Sequence, residues 1–356
     1  MSLRGKRVLV TGGTGFIGAR VVEKLILEHG AKPRLLVRKL AKAARIARFD
    51  VDIFPGDVTN QASVANAIDG CDVVIHCAYG NAGDHEQRRA VNVDGTAIVA
   101  GEALRAGVLR MVHVSTIAVY GRTPDGDVDE STPLADDGDH YSKTKREAEQ
   151  ILRDQHGSSA LSFTIIRPTC VYGPYGLAFT IDPIQQLISR RVVLVNGGEG
   201  LCNAIYVDDL ADGILLAAVE PTASGETFLM TAETPLTWRA FYDAYERLLG
   251  RRSSIEMTVE QVRAYARQEA ERKTWEEETS ERLRRMGVPH EIEPRREPFR
   301  VPSENGLAFY SARTRFRINK AKRLLGFRPR FSFDDGMALT GQWARWAGLI
   351  PINGNA

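Results

Sequence analysis

Cysteine is scarce: the chain has only Cys71, Cys77, Cys170 and Cys202. No two of them form a C-x-x-C pair, so zinc-ligand spacing is absent and no metal site is expected. The pattern predicts four reduced, mostly buried thiols. Long apolar runs are missing as well. No uninterrupted stretch approaches the roughly 20 residues a membrane span needs. The start, MSLRGKRVLVTG, has neither a signal core nor a cleavage site, which leads us to expect a cytoplasmic protein without a membrane partner. A dominant charge is lacking too. Lys plus Arg is 47 and Asp plus Glu is 45, a formal net charge of +2. No strong field draws the molecule to nucleic acid. Repeats and low-complexity segments do not occur.

What is present is alternation. Apolar runs at 7–11, 33–38, 51–57, 72–78, 111–121 and 162–174 read as strands. Amphipathic stretches at 15–29, 85–107 and 139–156 lie between them and read as helices. Strands apolar on both faces, alternating with helices, indicate a parallel sheet covered on both sides. The fold class is therefore α/β, a doubly wound parallel-sheet Rossmann fold. After about residue 175 the alternation weakens. A strand at 192–195, helices at 207–220 and 237–250, and FLM at 228–230 suggest a smaller, partly interwoven C-terminal lobe. We expect a dinucleotide-binding domain over 1–174 and a substrate-binding lobe over 175–356, with pieces near 201–220 returning to the first domain. Residues 251–311 carry both charge signs densely mixed, which predicts a solvated helix face. Trp275, Val262, Tyr265 and Ala266 leave a lid or an oligomer contact open.

The segment TGGTGFIG at 11–18 follows the first strand and opens the first helix. In that context a glycine pattern is a phosphate cradle. Gly12 permits the tight turn, Gly15 lets backbone approach a pyrophosphate, and Gly18 lets helix pack on strand. The N–H groups of Phe16 and Ile17 then face the phosphates at the positive helix end. The second strand ends in Arg38, followed by Lys39 and Lys42. A carboxylate there would grip the ribose 2′-OH of NAD, whereas a guanidinium suits a 2′-phosphate. The charge argument favours NADP, with NAD possible if Arg38 only stacks on adenine. Asp57, beside Val58, is placed to hydrogen-bond adenine. Alternatively it caps the following helix, a task Thr59 could also take.

Tyr141 and Lys145 are four apart at the start of a helix and share a face. A nearby ammonium stabilises a phenolate, and such a pair can pass a proton to or from an alcohol oxygen. Ser115 and Thr116 end a strand, where a parallel sheet places its site. A hydroxyl there can hydrogen-bond a substrate oxygen.

These motifs together resemble the extended short-chain dehydrogenases/reductases of the NAD-dependent epimerase/dehydratase type. The matching segments are TGGTGFIG, GDV at 56–58, DVVIHCA at 72–78, VNVDGT at 91–96, VSTIAVYG at 114–121, YSKTK at 141–145, RPTCVYGP at 167–174, YVDDLADG at 206–213 and NKAKRLLGFRP at 319–329. The likeness runs from the first strand almost to the end, with 251–311 outside it. It implies that Tyr141 is the acid/base and that Lys145 holds the nicotinamide ribose and depresses the tyrosine pKa. It implies that Thr116 polarises the substrate oxygen, with Ser115 as fallback. Ala78 and Tyr79 would line the cofactor and substrate side, and Pro168 and Val171 would pack near the nicotinamide. Asn92 would support the site or simply be a buried amide. It also implies a homodimer.

Two departures bear on substrate. Cys170 stands where nucleotide-sugar enzymes usually carry Asn, and Cys202 stands where they usually carry a diphosphate-gripping Arg. A cysteine cannot replace a guanidinium at a phosphate. An Arg from 281–317 could supply that charge instead. The leading expectation is an NAD(P)-dependent oxidoreductase acting on a hydroxyl or keto carbon of a small molecule. One alternative is a sugar epimerase or dehydratase that keeps its cofactor bound. Another is a non-enzymatic NADP-binding regulator, whose signature would be loss of the tyrosine or lysine.

Overall fold

A computed structural model describes residues 2–135, 138–156, 161–286 and 299–350. Part of the charged stretch, residues 287–298, therefore lies outside the described residues, and with it part of the arginine supply expected over 281–317.

In chain order the first half holds β1 (Arg7–Thr11), α1 (Phe16–Leu27), β2 (Lys32–Val37), β3 (Asp52–Pro55), α2 (Gln61–Ile68), β4 (Val73–His76), α3 (His85–Arg89), α4 (Gly95–Arg105) and β5 (Arg110–Val114). β6 (Gly126–Val128), α5 (His140–His156), β7 (Ser162–Pro168) and β8 (Cys170–Tyr172) follow. Then come α6 (Asp182–Ile188), β9 (Val193–Val195), β10 (Leu201–Cys202), β11 (Ala204–Tyr206), α7 (Val207–Val219), β12 (Thr227–Met230), β13 (Leu236–Thr237), α8 (Trp238–Leu249) and β14 (Ile255–Met257). The last elements are α9 (Val259–Arg285), α10 (Glu304–Ser311), β15 (Thr314–Phe316), α11 (Asn319–Leu325) and α12 (Phe333–Trp346).

Seven parallel strands form the central sheet in the order β12-β7-β5-β4-β1-β2-β3. This is the doubly wound arrangement. The chain winds outward from β1 through β2 to β3, then returns to place β4 on the other side of β1. That reversal opens a crevice at the carboxyl ends of β1 and β4, where open α/β sheets take their ligands. The central strands are apolar on both faces because both are covered: Val8, Leu9 and Val10 have no exposure, nor have Val73, Val74 and Ile75.

The chain forms two compact units. One comprises 1–180, 203–235 and 314–340; the other comprises 181–202, 236–313 and 341–356. The run FLM, read as part of the smaller lobe, belongs to β12 at the edge of the main sheet, paired with β7. Two short parallel ladders complete the first unit, β8 with β11 and β6 with β15. The second unit holds β9 with β14 and β10 with β13. In it, α8 buries Trp238, Phe241, Tyr242 and Tyr245. The mixed-charge run is the helix α9, which buries Val262 alone and leaves Trp275 exposed. Its charges pair along its own surface, as Arg272 does with Glu269 and Glu276.

Three elements differ from the sequence reading. The helix expected over 85–107 is interrupted by a π turn, Ala90–Asp94. The apolar run 111–121 is a strand only to Val114, then a 3-10 turn from Ile117 to Tyr120 capped by the Thr116 hydroxyl. The run 162–174 is two strands. β7 stops at Pro168, which has no N–H for a ladder, and β8 leaves the sheet to pair with β11.

Candidate active site

The site is built at the reversal of the sheet. β1 delivers Thr11 into the turn that precedes α1. Gly12 has φ +69°, and a Cβ there would lie 2.7 Å from the backbone of Cys77 and Ala78. The ends of β1 and β4 therefore meet only through glycine. A Cβ on Gly18 would lie 2.4 Å from the Gly12 carbonyl oxygen, so this glycine closes helix onto turn. Gly15 is different: only the Gly12 oxygen, at 3.2 Å, stands near its absent Cβ. No side chain caps α1 and no acid occupies its first turn. Bare N–H groups at Phe16 and Ile17, a positive helix end and an open glycine face fit a dinucleotide's pyrophosphate.

On the adenosine side, Arg38 and Asp57 meet each other. Arg38 Nε stands 3.6 Å from Asp57 Oδ2, with the guanidinium largely exposed. Asp57 Oδ1 accepts from the backbone and hydroxyl of Thr59, at 3.0 and 2.9 Å. Neither residue caps α2; Asn60 does, accepting from Ser63 N–H at 2.9 Å. The sequence reading missed it because Asp57, Thr59 and Asn60 each carry a side chain that could reach the helix start. Val58 packs in the core against Gly95.

On the reacting side the structure brings Thr116, Tyr141, Lys145 and Tyr79 together. The Thr116 hydroxyl stands near Tyr141, where it favours the ionised phenol. Tyr79 lies edge-on to Tyr141, with ring centroids 5.1 Å apart. Lys145 Nζ stands 5.9 Å from the Tyr79 ring centroid. The lysine donates to the Val114 carbonyl at 2.8 Å. Its pKa is lowered to about 8 by burial, which Cys77 and Glu149 oppose. Burial raises Tyr141 to about 12, against the pull of Thr116, while Tyr79 and Asp139 add to the rise. The expected depression of the tyrosine by Lys145 is thus not the direction found in this structure. The ammonium points to Val114, and desolvation of the phenolate dominates.

Ser115, the fallback hydroxyl, faces elsewhere. It is buried and donates to Glu149 Oε1 at 2.6 Å. Glu149 in turn holds Arg167 through Nε at 3.0 Å, and Arg167 donates to the Tyr120 hydroxyl at 2.8 Å. This buried ion pair ties α5 to β7. Pro168 ends β7, and Val171 and Cys170 are buried in β8. Cys202 is fully buried in β10. Its neighbour Asn203 pins β15, donating to Thr314 O at 2.9 Å and accepting from Phe316 N–H at 3.2 Å. Of the arginines expected over 281–317, Arg315 and Arg317 both pair with Asp127.

Asn92 sits in the π turn. It accepts from Gly80 N–H at 2.9 Å and donates to Thr144 Oγ1 at 3.3 Å. It is both a buried amide and a tie between the loop after β4 and α5. Sequence reasoning passed over Thr144, Glu149 and Arg167, and over His76 and His113. For Arg167, His76 and His113 the signal was polarity inside apolar strands, as in SFTIIRP, DVVIHCA and MVHVST; Thr144 and Glu149 lie on a polar helix with no such signal. Among the described residues no helix is long and apolar enough to cross a membrane, and no group of three or more His, Cys, Asp or Glu could hold a metal.

Comparison with known proteins agrees with this geometry. The family model described as NAD dependent epimerase/dehydratase family matches residues 8–230. A 4-hydroxy-2-methyl-3-oxo-4-farnesyl-3,4-dihydroquinoline-1-oxide ketoreductase of Stigmatella aurantiaca is 34% identical over 241 residues, covering 66% of this chain and 71% of that one. A 3 beta-hydroxysteroid dehydrogenase/Delta 5-->4-isomerase of Mycobacterium tuberculosis is 32% identical over 252 residues, covering 66% and 67%. The crystal structure of DesIV, a dTDP-glucose 4,6-dehydratase of Streptomyces venezuelae with NAD bound, superposes with a TM-score of 0.73. It is 24% identical and covers 97% of this chain and 99% of its own, a likeness of fold.

Proposed function

Since the chain belongs to the NAD-dependent epimerase/dehydratase family and is an enzyme of the short-chain dehydrogenase/reductase type, we propose that it is an NADP-dependent oxidoreductase interconverting a ketone and an alcohol on an apolar small molecule. The observation that carries the proposal is the grouping of Thr116, Tyr141 and Tyr79 beside buried Lys145. The named substrates of two relatives support the apolar class: one is farnesylated and one is a steroid. Buried Cys202, at the position where a diphosphate-gripping Arg is usual in sugar-nucleotide enzymes, supports it too. Largely exposed Arg38 supports NADP over NAD, since its partner Asp57 holds it only at 3.6 Å. The family likeness supports a homodimer, which sedimentation would test.

The chain's own residues supply orientation and a proton. The turn at 12–15 and the start of α1 would seat the pyrophosphate, and Arg38 the 2′-phosphate. Lys145, released from Val114, would hold the ribose. When bound, the nicotinamide supplies or accepts the hydride. Thr116 orients the substrate oxygen toward Tyr141. In reduction, Tyr141 gives its phenolic proton to the oxygen as the carbonyl carbon gains hydride. A phenol raised to about 12 is protonated at neutral pH and ready for that direction. Oxidation reverses each transfer. Ile117 and Ala118 follow Thr116 where dehydration calls for acids.

A panel of isoprenoid and steroidal ketones with NADPH tests this reading. One NADPH consumed per alcohol formed is expected. Tyr141→Phe should lower kcat by roughly 10²–10⁴-fold with NADPH affinity retained. Full turnover by Tyr141→Phe would refute the assignment, and product without net cofactor consumption would indicate an epimerase.

A further inference from the structure

Two histidines stand side by side in the sheet, His76 on β4 and His113 on β5, and both are buried. Their rings stack with centroids 5.3 Å apart. Neither nitrogen of His113 has a hydrogen-bond partner among the described residues. His76 uses both of its nitrogens: Nδ1 is 2.6 Å from Thr11 Oγ1, and Nε2 is 3.0 Å from Thr96 Oγ1.

The direction of these bonds can be derived from the far end. Thr96 has one hydroxyl proton, and it goes to the Asn92 carbonyl at 2.7 Å, an oxygen that can only accept. Thr96 Oγ1 must therefore accept from His76, so Nε2 carries a proton. A fully buried imidazole near the Lys145 ammonium is held neutral by desolvation and by that charge. Nδ1 is then bare and accepts from the Thr11 hydroxyl. Ala78 N–H faces Thr11 Oγ1 in turn, at 3.4 Å. One continuous chain results, from Ala78 N–H through Thr11, His76 and Thr96 to the Asn92 carbonyl. The Asn92 side chain carries it on to Thr144, the residue before Lys145.

We propose that His76 is a positioning residue whose neutral Nε2–H ring couples the glycine turn following Thr11 to the Asn92–Thr144 tie that seats the helix of Tyr141 and Lys145. Seating of the dinucleotide and alignment of the acid/base helix are thereby set together. Stacked His113 shields the ring without competing for its partners. The inference rests on the reading that the turn holds NADP.

Long-range ¹H–¹⁵N spectra of the ¹⁵N-histidine-labelled full chain test the ring directly. His76, assigned by its loss in a variant, should keep Nε2 protonated and Nδ1 bare from about pH 5.5 to 8. The opposite tautomer, or titration of the ring in that range, overturns the proposal. Two variants separate the ends. His76→Asn keeps an acceptor at the Nδ1 position but no donor toward Thr96. It should hold the NADP⁺ Kd within about 3-fold while amide exchange in the first turn of α5 speeds by about 10-fold. His76→Gln keeps a donor near Thr96 but no acceptor for Thr11. It should raise the NADP⁺ Kd by about 10-fold and leave that turn's exchange unchanged. Equal effects of both variants on both readouts would mark a merely structural residue and overturn the proposal. Wild-type protein that fails to bind NADP⁺ would instead defeat the functional reading, and the tautomer would still be measurable.

Discussion

Arg38 and Glu149 show how differently two charged residues act. Arg38 lies at the surface, and its pairing with Asp57 at 3.6 Å is loose. It contributes little to stability, so its charge remains for a ligand. Arg38→Glu should weaken NADPH binding by roughly 10–100-fold, the worth of charge-assisted hydrogen bonds. NADH binding should change far less, and titration calorimetry with both nucleotides would show the switch; equal losses for the two would argue against a 2′-phosphate contact. Glu149 is buried with Arg167 and receives Ser115 as well. Glu149→Ala would strand a buried guanidinium, at a cost of about 3–5 kcal/mol. Urea unfolding should register that loss. A loss below about 1 kcal/mol would mean that water reaches the arginine.

At the scale of elements, β1, the glycine turn and α1 form a unit whose geometry was legible in the sequence. Runs apolar on both faces declare a buried parallel strand, and a glycine run before a periodic helix declares the turn. The edges of elements were less legible. The strand stopped at Val114 so that Thr116 could cap a 3-10 turn, and Pro168 divided one apolar run between two sheets. The reacting hydroxyls were named from sequence, but the orientation of Ser115 was not. It depends on Glu149, 34 residues onward, and no local pattern encodes so distant a partner. The close approach of α1 to its turn yields a further prediction. Gly18→Ala would place a methyl 2.4 Å from a backbone oxygen, which has no freedom to swing away. A destabilisation of about 1–3 kcal/mol and weaker NADP⁺ binding are expected, read by thermal melts with and without cofactor. A variant as stable as wild type would show that α1 can slide.

For the whole molecule, buried titratable groups make stability depend on pH. Burial depresses His76 to about 3 and His113 well below its ordinary value, the Lys145 charge adding to both. An unfolded histidine takes up its proton near pH 6.5. Between that pH and about 3 the unfolded chain binds more protons, so unfolding free energy falls as the solution is acidified. The contribution is fully present above about pH 6.5 and is lost over several units below it. His113→Phe, which removes a ring that makes no hydrogen bond among the described residues, should flatten the slope of unfolding free energy against pH over about 4–6.5. An unchanged slope would place the acid sensitivity elsewhere. Lys145 acts at the other end. With its folded pKa lowered to about 8, stability should rise with pH between about 8 and 10.5. The order in which the chain visits its two units has a consequence in time. Among the described residues β6 pairs only with β15, and Asn203 holds that late strand in place. On a ribosome adding roughly 5–20 residues each second, residues 126–128 therefore wait on the order of ten seconds or more for their partner. Throughout that interval the nascent enzyme presents an unfinished edge.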